Sequence, residues 1–481
     1  MIKRTPAVIL RRALIPCVGL LLLGVSSPGL AAGLFFSDRG VRPLGRGGAF
    51  IAGADDLGSI WYNPAGLADA GNSILADFSW VRFTDDFSRR TLVTDSAGAI
   101  STLQFPTVSG STPFLPIPTL GISYALGHRQ EWTIAGGIDA PYATLTTYPQ
   151  TIAGGAPAPT RYSLVSLDGT ALAILGGYAA YRPIEQLRIG IGVQALVGTF
   201  KSTVVFNANP TDRLIGAPED PQYDALSQVK AFPVFAPSAN LGVTFVPYRW
   251  LRIGASGQLP FVINAPATVT VRLPNAPEFD SAQQTGDKAH LKLKLPGILR
   301  FGVEISPLET LHLEASFVRE FWSVHRSLDI VSDTIRLNGV TGFPSPYAVP
   351  SISIPRHFKD SSSIRLGGEY SGFQAFSRTI HLRAGVGWDQ SAIPDAYLSP
   401  LTVDLNKYTA AIGGGVDIAA RWRLDAVYAH VFGRDVSVSP FEASVPRINP
   451  VKGNPVATEA INGGQYSARA DILGGGLTYR F

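Results

Sequence analysis

Cysteine is all but missing from this chain: Cys17 is the one thiol in 481 residues. It lies in a stretch, Met1–Ala32, built like a secretory signal peptide. Lys3, Arg4, Arg11 and Arg12 make a basic start, Ala13–Val25 an apolar core, and Gly29-Leu30-Ala31-Ala32 a small-residue cleavage site. A lipoprotein signal using Cys17 is disfavoured, because Pro16 precedes that residue and most of the apolar core follows it. The predicted mature chain therefore has no thiol, which excludes disulfides, zinc-thiolate sites and a cysteine nucleophile. An excess of one charge is missing too. Lys plus Arg number 40 and Asp plus Glu 36, and the four leader charges are all basic, so 36 of each sign remain. No basic cluster is left to follow a phosphate backbone, and nucleic acid is not an expected partner.

After the leader no run of 18 apolar residues occurs, so no membrane-spanning helix is expected. The 7 histidines are scattered without ligand spacing, and neither a nucleophile elbow nor a Walker loop is present. Gly190–Ala195 fits a dinucleotide fingerprint in letters only, since it lies inside an alternating segment. No cofactor and no metal are expected, and the chain is not read as an enzyme. A lipase built on Ser316 with His312 or His381 is the enzymatic alternative.

What the chain does contain is period-two alternation. In Arg188–Gly198, Ile189, Ile191, Val193, Ala195 and Val197 fall on one face, opposite Arg188, Gly190, Gly192 and Gln194. One wholly apolar face and one Gly/Arg/Gln face is what a lipid-facing barrel wall requires. About fourteen such segments follow between Ser73 and Phe481. Short turns such as Pro247-Tyr248-Arg249 alternate with long Pro/Ser/Thr-rich loops such as Val205–Val229 and Ser327–Ser362. Tyr181, Tyr248, Trp250 and Trp422 near the short turns, and Trp80, Trp322, Trp388 and Phe432 near the long loops, suggest two aromatic belts. In Leu311–His325 the alternation loses phase, and a β-bulge near Val318–Glu320 is expected to restore it. A large soluble β-sandwich would also alternate, but would not explain the glycine-rich second faces or the unequal loops. The expected fold is all-β: a transmembrane antiparallel barrel of about 14 strands.

Ahead of the barrel stands Leu34–Leu67, rich in Gly and Ala and too small to bury a core alone. It contains G-R-G-G-A-F-I-A-G-A-D-D-L-G-S-I-W-Y-N-P-A-G-L (Gly45–Leu67). This segment resembles the N-terminal plug of the FadL family of outer-membrane transporters of long-chain fatty acids and other hydrophobic compounds. Ala54-Asp55-Asp56 and Asn63-Pro64-Ala65 carry most of the likeness. Leu295–Glu304, Phe321–Ser323, Leu382–Asp395 and the final Ala470–Phe481 add to it. The resemblance implies a signal peptide at 1–32, a hatch at 33–72 inside the lumen, and a barrel at 73–481 in the outer membrane of a Gram-negative bacterium. It implies passive transport of hydrophobic small molecules, with sideways release into outer-membrane lipid through a kink in the third strand. It further implies that Phe481 is read by the barrel-assembly machinery.

On that basis Gly136, Gly137 and Pro141 in the third alternating segment mark the expected lateral opening. Gly136 and Gly137 could equally make room for the hatch. Phe35, Phe36, Phe50 and Ile51 are candidates to line an apolar substrate pocket. Asp55 and Asp56 are expected to tie the hatch to lumen arginines such as Arg188, Arg252, Arg300 or Arg383, one of which could hold a substrate carboxylate instead. Phe114–Ile117 and Phe343–Val349 are candidates for a capture groove. A surface receptor or adhesin acting through the long loops is the alternative function.

Overall fold

The computed structural model describes residues 38–112, 116–141, 146–210, 219–451 and 459–481. Phe35 and Phe36 lie outside these. The wall is an antiparallel barrel of fourteen strands, labelled in chain order. They are β1 (Ser73–Thr94), β2 (Pro116–Leu126), β3 (Trp132–Asp139), β4 (Ala171–Ile184), β5 (Leu187–Asn207), β6 (Asp224–Tyr248) and β7 (Leu251–Gln258). Then come β8 (Ile298–Leu308), β9 (Leu311–Glu320), β10 (Ser361–Ala375), β11 (Arg378–Asp389), β12 (Lys407–Ala419), β13 (Trp422–Gly433) and β14 (Gly464–Arg480). Each pairs with its chain neighbour, and β1 closes the ring against β14 from Ser73↔Arg480 to Arg89↔Gly464. A closed ring leaves no ladder edge for lipid to meet, which is the condition for strands to cross a bilayer.

Around the lower half the alternation is greasy outside and polar inside. Ile189, Ile191 and Val193 of β5 are 46%, 57% and 70% exposed, while Gln194, Asn240, Thr244 and Ser256 are buried toward the lumen. Trp132 stacks on Tyr181, Tyr248 on Trp250 and Tyr479 on Phe481 around the short-turn end, forming one aromatic belt. Trp322 does not join the opposite belt. It is 2% exposed, its Nε1 donating to Glu320 at 2.7 Å. Nor does β9 bulge: its register runs unbroken to Glu320↔Ile298, and the chain then leaves the ladder in a 3-10 turn, Trp322–Val324. The phase loss in the sequence marks the strand's end.

Above the membrane the wall continues where loops were expected. The strands Phe261–Arg272, Lys288–Leu295, Ser327–Ser332 and Ile352–Pro355 prolong β7 to β10 as a collar, pairing in that order. Their polarity is inverted. Ala289, Leu291, Leu293 and Leu295 point inward and are buried, while Lys288, Lys292 and Lys294 are exposed outside. The switch falls at Pro260 and at Pro296-Gly297, where the strands break. The result is a cylinder in two storeys: the lower greasy outside, the upper greasy inside.

Candidate functional site

The head segment fills the lower storey. It carries a short helix (Val41–Gly45), a second (Ser59–Tyr62) and a 3-10 turn (Pro64–Asp69), nearly all of it buried. The glycines of the inner wall face make its seat. A side-chain carbon placed on Gly254 would stand 2.6 Å from the Ile51 carbonyl, on Gly302 2.9 Å from the Ala52 nitrogen, and on Gly413 3.0 Å from the Gly45 Cα. Gly190 and Gly242 press likewise on Pro64 and Asn63, and Gly367 and Gly385 on Arg46. Seven strands thus carry a glycine where the head backbone passes. The Gly-rich second faces of the sequence are a track for this segment.

Polar contacts then fix it. Glu314 of β9 accepts hydrogen bonds from three successive backbone N–H groups, Ile51 (2.6 Å), Ala52 (3.2 Å) and Gly53 (2.8 Å). Asn63 donates to the Ile51 carbonyl at 2.8 Å and to Thr244 Oγ1 at 3.0 Å, and its Oδ1 accepts from Ala65 N, capping the 3-10 turn. Pro64 begins that turn, where its missing N–H costs nothing. Removing Glu314 would orphan three buried donors and leave Arg46 one carboxylate fewer (Glu314 lies 3.4 Å from Arg46). Glu314→Ala is expected to cost about 3 kcal/mol, read as a lower temperature of the heat-induced mobility shift on gels. An unchanged transition would mean that the grip on the head segment contributes little.

Charges pack densely around the segment, mostly in alternating sign. Arg42 pairs with Asp55, with Asp56 at 2.9 Å and with Glu369 at 2.9 Å; Arg423 reaches Asp56 at 3.4 Å. Arg383 bridges Glu369 (2.7 Å) and Asp425 (2.6 Å), and Arg365 bridges Asp38 (2.9 Å) and Asp389 (2.7 Å). Asp56 reaches a wall arginine, Arg423, in place of the four named. Asp55 pairs within the head segment, and Arg188 and Arg252 instead hold Asp69, each at 3.1 Å. Arg300 lies over the Trp61 ring, 4.9 Å from its centroid. Arg42, Arg365, Arg383 and Arg423 each meet two or more carboxylates, which holds the segment without leaving a charge exposed to lipid.

Phe50 and Ile51 are fully buried in this packing. Phe50 meets Tyr62 edge-on at 5.8 Å beneath the Arg42 and Arg46 guanidinium groups. Neither lines the two apolar cavities of the upper storey. One, of about 30 Å³, is bounded by Phe200, Leu291, Ile354, Leu401 and Ile448; the other, of about 50 Å³, by Val269, Phe279, Leu337 and Val349. Phe206, Val229 and Ile330 belong to both. Of the expected capture groove, Val349 reaches a cavity and Phe343 packs on Tyr347, whereas Phe114 lies outside the described residues.

One charged group stands in the smaller cavity. Arg356, just below the collar strand Ile352–Pro355, is 1% exposed. Its Nη1 donates to Thr402 Oγ1 at 2.8 Å and more weakly to Ser399 Oγ at 3.5 Å, while its Nε and Nη2 have no partner. Among the described residues no carboxylate pairs with it, and burial alone pushes its guanidinium down to about 10. The group remains a cation at neutral pH. The sequence offered no pattern for it: Ser399 and Thr402 come from a loop some forty positions away.

In the third strand, Gly137 faces the head segment, where an added carbon would meet Ile60 at 2.5 Å; at Gly136 the space is open. Both are paired on both sides, and the ladder ends at Asp139. Ala140 and Pro141 are buried, Pro141 accepting from Arg39 Nη2 at 2.7 Å. The chain is in the sheet again at Thr147, between Ser111 and Ser166.

The chain matches the family described as "Outer membrane protein transport protein (OMPP1/FadL/TodX)" over residues 22–481. It superposes on the crystal structure of a Pseudomonas aeruginosa FadL homologue with a TM-score of 0.67 at 15% identity, covering 95% of this chain and 100% of that one. The toluene transporter TodX of P. putida gives a TM-score of 0.60 at 15% identity, covering 92% and 99%. These likenesses concern the fold. Outer membrane protein NMB0088 of Neisseria meningitidis serogroup B is 27% identical over 130 residues, 27% of this chain and 25% of that protein, so the match spans about a quarter of its length. With a matching barrel and a family match across nearly the whole sequence, the chain belongs to the OMPP1/FadL/TodX family of outer-membrane transport proteins.

Proposed function

We propose that this protein carries hydrophobic molecules with an anionic head, long-chain fatty carboxylates foremost, passively across the outer leaflet. The observation that carries the reading is Arg356: a buried cation with no counter-ion among the described residues, set in an apolar cavity. Arg offers a bidentate fork to a carboxylate, and each methylene of a tail buried beside it gains about 0.8 kcal/mol. The inverted collar supplies a dry route inward, which a wet pore would not. Below it the head segment acts as a hatch, tied down by the charge network and the Asn63-Pro64-Ala65 turn. Ligand leaves sideways where the β3 ladder stops, beside Ala140 and Pro141, into membrane lipid. Phe481, exposed at the end of β14, is the residue offered to the barrel-assembly machinery.

Uptake into lipid vesicles holding the purified protein tests this. Radiolabelled palmitate should enter faster than into empty vesicles, and mass spectrometry should find fatty acid in the preparation. Vesicles that admit no hydrophobic solute at all would return the protein to the receptor reading. Free passage of sugars would make it a porin.

A further inference from the structure

The wall contains a second interruption, of a different kind from that in β3. Low on β6, Asn240 pairs with Gln258 of β7; higher up, Ala231 pairs with Ala267 of the collar strand Phe261–Arg272. Both strands advance by the same number of residues between these points, so the register is kept. Yet the ladder is absent there. Only Leu259 N to the Ala239 carbonyl (2.9 Å) and Ser238 Oγ to the Leu259 carbonyl (2.7 Å) cross, both at the lower end. On their far sides the two strands stay paired, β6 with β5 through Phe235↔Val197 and Ala236↔Leu196, the collar strand with Lys288–Leu295 through Phe261↔Leu295. The result is a slit of about 20 Å between two ladders, of which that of β5 and β6 carries one bulge at Phe232-Pro233.

The sequence prescribes it. Pro233 and Pro237 stand on one bank and Pro260 and Pro266 on the other, and proline has no N–H to give a ladder. The banks are apolar on both faces, unlike the wall above or below. Phe232, Phe235, Leu259 and Val262 point outward, 53% to 63% exposed, while Val234, Ala236, Phe261, Ile263 and Ala265 are buried inside. Outward apolar residues continue below as Leu241, while Lys294 beside Val262, then Asn264 and Lys230, face out above them, which sets the lower end of the slit at the top edge of the greasy band. Its upper end is the pair Ala231↔Ala267, two residues below Val229, which lines both cavities.

We propose that this slit is a second side port, through which alkyl chains pass between the upper-storey cavities and the outer leaflet. The proposal rests on the transport reading above. Opening an ordinary ladder in lipid leaves backbone groups without partners, at several kcal/mol each. At the slit those bonds are already unmade, so its banks separate without that cost.

The mature chain, predicted to lack thiols, makes the test clean. Cysteines placed by Phe235→Cys and Val262→Cys face outward on opposite banks and can be bridged by a flexible bis-maleimide. Bridging should lower palmitate uptake at least about twofold relative to the same variant capped with a monofunctional maleimide. The same bridge at Val243→Cys/Ala255→Cys, in the paired part of the interface, should change nothing. As a second variant, Pro237→Val/Pro266→Val returns two donors and should also slow uptake. Equal uptake with and without the bridge across the slit overturns the proposal. Wild-type vesicles that take up no palmitate would count against the transport reading instead.

Discussion

Gly367→Val is expected to unseat the hatch while the barrel still assembles. The new side chain would start on top of the Arg46 carbonyl, with strand backbone on one side and head-segment backbone on the other. Backbone cannot rotate away as a flexible side chain can, so one of the two must move. Overpacking of this kind costs about 1–3 kcal/mol in an ordinary core and more where neither wall yields. The wall strand is held by continuous ladders to both neighbours and the head segment by side-chain contacts alone, so the head segment gives way. Trypsin should then cut after Arg39 or Arg46 in the folded variant but not in the wild type, and ion conductance in planar bilayers should rise. Gly475→Val is the control, because a carbon added there meets nothing within 4 Å. An intact, protease-resistant hatch in Gly367→Val would show that the glycine track is not needed for seating.

Arg356→Met should separate two classes of cargo. Methionine keeps an unbranched apolar side chain in the cavity and removes the cation with its two unpartnered nitrogens. A hydrogen bond to a charged group contributes about 1.5–3 kcal/mol, so affinity for a fatty carboxylate should fall roughly ten- to a hundredfold. Binding of the matching n-alkane should stay equal or tighten, because a buried charge has been replaced by apolar surface. Arg356→Lys should fall between, as a point charge without the planar fork. Intrinsic fluorescence titration with palmitate and with hexadecane measures both. A parallel loss for the two ligands would make Arg356 a structural residue and the cargo uncharged.

The membrane band was legible because lipid on one side enforces strict alternation, and all fourteen strands announced themselves through it. The head segment was legible through its own letters, Ala54-Asp55-Asp56 and Asn63-Pro64-Ala65. The collar was not. Its strands repeat the same period with the faces exchanged, as in K-A-H-L-K-L-K-L from Lys288 to Leu295, and lie among prolines that read as loops. A search for alternation that ignored which face was greasy would have found them. The partners of Asp55 and Asp69 were hidden for another reason: several arginines face the lumen, and only the path of the head segment decides among them. Arg356 carries no pattern at all, since its cavity is assembled from pieces of β5, β6, the collar and three distant loops.

The exchange of faces at Pro260 and Pro296 also works as a waterline. Sinking the cylinder by a few ångströms would push Lys292 and Lys294 into hydrocarbon, at up to about 2–4 kcal/mol each near the bilayer midplane. Raising it would lift Leu259 and Leu299 out of lipid. The protein therefore rides at one depth, and a bilayer of longer acyl chains must thin around it.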